Sequence, residues 1–83
     1  MTSTERWANG PGAVYAVHDH PYRKVLVVER GSITFHLARE GRDVLLRAGE
    51  RLELPAGTPH GATVGSEGVT CVETHDPVQR TGD

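Results

Sequence analysis

Short runs rich in Val, Leu, Ile and Thr recur along the chain between glycine or proline breaks, and no segment keeps a helical period for more than a turn or two. The pattern predicts strands over Ala13 to Val17, Lys24 to Glu29, Ser32 to Ala38, Asp43 to Arg47, Arg51 to Leu54, Gly61 to Val64 and Val69 to Thr74. Between them Glu29-Arg30-Gly31, Arg39-Glu40-Gly41-Arg42, Ala48-Gly49-Glu50, Pro55-Ala56-Gly57-Thr58-Pro59 and Gly65-Ser66-Glu67-Gly68 supply reversals. Connections this short favour antiparallel neighbours, so the expected fold class is all-β, a sandwich or barrel. Ile33, Phe35 and Leu37 alternate with Ser32, Thr34 and His36, giving one core face and one wet face. On this reading His36 is a surface residue and Cys71 a small buried apolar one.

Val25-Leu26-Val27-Val28 breaks the alternation, being apolar on both faces. Its outer face needs a cover, for which an N-terminal arm or a second subunit are the candidates, and a homodimer is expected. Residues 1–11 read as an arm, loose unless Trp7 docks on the body or a neighbour; residues 12–76 are the barrel domain; residues 77–83 leave it at Pro77 and are expected to fray.

Bulk properties narrow the partners. An 83-residue chain is near the lower limit for a self-sufficient core, so a second subunit or a bound metal would matter to stability. The formal charge of −2, with acids and bases intermixed, gives no basic stripe and argues against nucleic acid. Cys71 is the sole cysteine, which removes the usual sign of an oxidising compartment and makes the cytoplasm the expected location. The polar N-terminus lacks the apolar run of about 7 to 15 residues of a signal peptide, and no stretch nears the ~18 apolar residues of a membrane span, so no membrane partner is expected.

The candidate chemistry centres on His18-Asp19-His20. On a strand these two histidines share a face, with attachment points on the order of 6 to 7 Å apart, close enough for both rings to reach one ion. His60 follows the rigid turn Pro55-Ala56-Gly57-Thr58-Pro59, which can aim it across a barrel. Three neutral imidazoles leave open positions on a divalent ion, as catalytic rather than structural sites do. Nitrogen ligands favour Zn, Fe, Co, Ni or Cu over Mg or Ca.

Two spacings carry a family resemblance. Gly12-x5-His18-x-His20-x3-Lys24-x6-Gly31 resembles the first cupin motif, G-x5-H-x-H-x3,4-E-x6-G, and Gly49-x5-Pro55-x-Gly57-x2-His60-x3-Val64 resembles the second, G-x5-P-x-G-x2-H-x3-N. The resemblance implies a small antiparallel jelly-roll β-barrel of the cupin type, with His18, His20 and His60 as metal ligands and manganese added to the candidate ions. Such a fold hosts many unrelated functions.

Lys24 stands where the resemblance implies a glutamate ligand, and Val64 where it implies asparagine. An ammonium about 4 Å from a divalent ion costs about 8 kcal/mol at an effective dielectric of about 20. Lys24 must therefore swing clear, lose its charge, or face no metal; Glu73 on the last strand is the expected partner for a swing. Tyr22, sharing parity with the two histidines, is expected in the pocket or on its rim, and Glu73 and His75 lean toward the barrel mouth. Lys24, Tyr22, Glu73 and His75 are thus the candidate substrate-binding residues. The function expected is a metal-dependent enzyme, dioxygenase- or isomerase-like, acting on a small molecule; the alternative is a non-enzymatic ligand-binding or sensing module.

Overall fold

A computed structural model describes residues 3–76, built from β1 (Ser3–Asn9), β2 (Val14–His18), β3 (Arg23–Leu37), β4 (Arg42–Arg47), β5 (Arg51–Leu54) and β6 (His60–Asp76). Every pairing is antiparallel. The two long strands organise the rest. β3 and β6 pair with each other from Arg23↔Asp76 to Leu37↔His60, and each takes part in two layers. In one layer the order is β1, the second half of β6, the first half of β3, then β5. In the other it is β2, the first half of β6, the second half of β3, then β4. This doubled sheet without helices is the all-β, jelly-roll arrangement expected.

The long strands correct two expected reversals. Glu29-Arg30-Gly31 and Gly65-Ser66-Glu67-Gly68 bend the chain but do not turn it back. Register shifts flank Gly31, between Val28 and Arg30 and between Gly31 and Ile33, so this is a bulged crossing from one layer to the other. Gly31 has φ +73°, and a Cβ there would lie 1.9 Å from the carbonyl oxygen of Gly68. Only glycine lets the two backbones meet at that bend.

Inward-facing positions of both layers make one core: Leu26, Val28, Ile33, Phe35, Leu37, Leu46, Leu54, Ala62, Val64, Val69 and Cys71 are all buried. Each large aliphatic side chain so buried is worth about 1.5–3 kcal/mol.

Of the two alternatives for the N-terminal arm, residues 3–9 take the one in which Trp7 docks on the body. Residues 3–9 form edge strand β1, in register with β6 from Ser3↔His75 to Asn9↔Val69, and Trp7 docks on the core opposite Cys71. β1 pairs with β6 and not with residues 25–28 of β3. Val25 and Val27 are half-buried on the outside of the sheet, next to Thr74 and Val72 of β6 and Glu53 and Arg51 of β5. The expected frayed tail, 77–83, lies outside the described residues. Among the described residues no helix is long and apolar enough to cross a membrane.

Candidate metal centre

Local backbone geometry brings the three histidines together. His18 ends β2 directly opposite His60, the first residue of β6, after a register shift that begins at Tyr15. His20 lies just past the end of β2, so it does not continue the strand as its spacing suggests. It is tied instead by its carbonyl, which accepts the Gly57 N–H at 2.8 Å from the turn that leads into His60. That turn is pinned in its own right. The backbone N–H and hydroxyl of Thr58 both donate to the Pro55 carbonyl, at 3.2 and 2.6 Å.

The ring centroids lie 4.8 Å (His18–His20), 4.6 Å (His18–His60) and 5.5 Å (His20–His60) apart, and one nitrogen from each ring falls within 4.8 Å of the other two. Hydrogen-bond partners assign the tautomers. His18 Nδ1 is 2.6 Å from the Ala16 carbonyl and His60 Nδ1 is 2.8 Å from the Thr58 carbonyl. A carbonyl only accepts, so both Nδ1 atoms carry the proton and both Nε2 atoms keep a lone pair. His20 Nε2 lies 3.3 Å from Lys24 Nζ, which only donates; its Nδ1 then bears the proton and donates to the Tyr22 hydroxyl oxygen at 3.1 Å. All three rings hold the form a metal requires.

Burial keeps His20 and His60 in it. Burial foremost, then the Lys24 ammonium and the other two rings, pushes His20 down to about 4. Burial also holds His60 below the usual histidine value, outweighing its hydrogen bond to Thr58. His18 is exposed at the mouth and His60 is buried at the base.

The other wall carries charge. Lys24 turns inward, its side chain 12% exposed, and its Nζ lies 3.5 Å from Oε2 of Glu73, whose side chain is 7% exposed. Glu73 Oε1 accepts the Trp7 indole N–H at 2.6 Å, and Oε2 is 2.5 Å from His75 Nε2. Burial alone would push the Glu73 carboxyl up, but His75, Lys24 and Trp7 together hold it below the usual carboxylate range. Glu5, Glu73 and His75 also group closely enough to be a second set of ligand atoms. The Lys24 ammonium and the two side-chain bonds already occupy that carboxylate.

Of the substrate-binding candidates, Lys24 and Glu73 line a cavity of about 360 Å³ together with the three histidines. Tyr22 and His75 stand behind it. The Tyr22 ring lies between those of His20 and His75, with centroids 4.9 and 4.4 Å away. His36 sits outside the cavity, bonded to Asp43 at 2.8 Å and to Thr63 at 2.9 Å. The sequence reading missed Glu5, Trp7 and Tyr15, which also line the cavity. The available signal was an isolated tryptophan in an otherwise polar segment.

A family model for the cupin domain matches residues 6–74. No curated protein matches the sequence. Among solved structures, an uncharacterised conserved protein with a double-stranded β-helix domain from Klebsiella pneumoniae is 28% identical, with TM-score 0.80, covering 92% of this chain and 67% of that one. KdgF from a Halomonas species is 23% identical, with TM-score 0.83, covering 96% and 71%. Oxalate decarboxylase from Bacillus subtilis, described with Mn(II) centres, is 22% identical with TM-score 0.78, covering 90% of this chain and 21% of that one.

Proposed function

Because the chain belongs to the cupin family, whose barrel hosts more than one chemistry, we propose that it holds a divalent transition metal on His18, His20 and His60 and presents it to a small molecule in the adjoining cavity. The observation that carries this reading is the grouping of the rings: one nitrogen from each lies within 4.8 Å of the other two, and partners at all three Nδ1 atoms put each ring's acceptor lone pair on Nε2. Imidazole donors suit Zn, Fe, Co, Ni or Cu. Manganese stays among the candidates because of the Mn(II) centres of the oxalate decarboxylase.

An ion held there supplies Lewis acidity toward an oxygen of the bound molecule. The chain's residues do the rest. The apolar wall formed by Leu26, Ile33, Phe35 and Ala62 excludes water, and Lys24 and Glu73 form the polar edge beside the rings. The reaction supported is a metal-assisted conversion of a small organic molecule, dioxygenase- or isomerase-like. One feature favours the non-enzymatic alternative of a binding or sensing module: Lys24 and Glu73 neutralise each other, so neither stands free as a general acid or base. Turnover of a bound ligand by the metal-loaded chain separates the two readings.

The test of the site is elemental analysis of protein purified without a metal-affinity tag and offered Zn, Fe, Co, Ni, Cu or Mn. The expected result is about one ion per chain, lost in His60→Ala. No uptake of any of these ions overturns the reading. Homodimer formation belongs to the same proposal, supported by the half-buried outer strip of Val25, Val27 and Val72, and light scattering checks it.

A further inference from the structure

We infer that the ligand of this cavity is a small organic acid with an apolar body, its anionic oxygen lying between the histidine-held ion and the Lys24 ammonium. The inference rests on the metal-site reading above, and two separate observations point to it.

One is charge. The three donors are neutral imidazoles, so none of the ion's positive charge is cancelled by its protein ligands. The position where the cupin motif has a carboxylate is Lys24. Glu73, the buried carboxylate beside it, is committed to Lys24, His75 and Trp7. Charge held away from water needs a partner, and here the ligand must bring the negative one.

The other is hydrogen bonding. Among the described residues Lys24 Nζ has two partners: it donates to His20 Nε2 at 3.3 Å and is ion-paired with Glu73 Oε2 at 3.5 Å. The His20 lone pair is the one an ion takes. Metal binding therefore removes one of the lysine's acceptors and leaves an ammonium N–H without a partner at a side chain only 12% exposed. An anionic oxygen in the cavity accepts that N–H and also separates the two positive charges. Beyond it, Ile33, Phe35, Ala62 and Trp7 give the remainder of the ligand an apolar, partly aromatic surface.

The experiment is calorimetric titration of the full chain, loaded with Co(II), using benzoate and cinnamate against the neutral amides benzamide and cinnamamide, with acetate as an acid lacking the body. The acids are expected to bind at least ~10-fold tighter than their amides, and benzoate tighter than acetate. Lys24→Met is expected to keep cobalt and lose at least ~10-fold of acid affinity, and Lys24→Glu to keep cobalt with the acid preference abolished. The wild-type comparison of acid with amide stands even where a variant fails to fold. Cobalt uptake with acids binding no tighter than amides, or not at all, overturns this inference alone; no cobalt uptake overturns it together with the metal-site reading.

Discussion

The two walls of the cavity are held by different kinds of partner. On the β2 and β6 side, His18 and His60 are oriented by the backbone carbonyls of Ala16 and Thr58, and of the three rings His20 alone is held by side chains, those of Tyr22 and Lys24. On the β1 and β3 side, Lys24, Glu73, His75 and Trp7 are oriented by one another. A ring fixed by backbone survives the loss of its neighbours, whereas a charged side chain fixed by other side chains does not. The histidine wall is therefore expected to tolerate substitution with its fold intact, and the charged wall is expected to carry stability as well as recognition.

Breaking the charged wall should have the largest effect. Glu73→Ala leaves Lys24 buried without its counter-charge and is expected to cost about 3–5 kcal/mol, read from denaturant unfolding. Trp7→Phe keeps the ring but removes the N–H donor to that carboxylate, for an expected loss of about 1.5–3 kcal/mol. His18→Ala, at the exposed mouth, should change stability by no more than about 0.5 kcal/mol while weakening metal uptake. A loss there as large as that for Glu73→Ala would erase the distinction between the walls.

A pH dependence separates the walls by window. His20 titrates near 6.5 when unfolded and at about 4 when folded, so the unfolded chain takes up the proton first. Stability should fall as pH drops from about 6.5 toward about 4, and His20→Ala should flatten that slope. Glu73 has the opposite charge type, and its folded value lies below the ordinary 4.5. Its contribution is present above 4.5 and is lost as pH falls through the lower folded value, so the second decline belongs to the charged wall.

The histidine wall was the more legible in the sequence. The grouping of His18, His20 and His60 is legible in the motif spacing and the proline-bounded turn, although His20 lies past the end of β2 and strand parity does not place it. Lys24 turns inward as expected, but from β3, a strand separate from the one that carries His18. The N-terminal strand was not legible. Ser3 to Asn9 has no apolar alternation, since an edge strand needs only one anchored side chain, and Trp7 is that anchor. The glycines at 31, 65 and 68 read in the sequence as reversals, but they are bends in continuous strands. Glycine marks a special backbone conformation in either case, and only the approach of Gly31 to Gly68 distinguishes the two.

Among the described residues, the strand that brings Trp7 to the cavity pairs only with β6, and all its residues but Trp7 are exposed. Its amides should exchange with solvent well before those of β3 and β6, which are bonded on both sides along much of their length. One wall of the cavity thus has a lower opening free energy than the framework behind it. For the ligand proposed above, the expected residence time follows how often that edge strand opens.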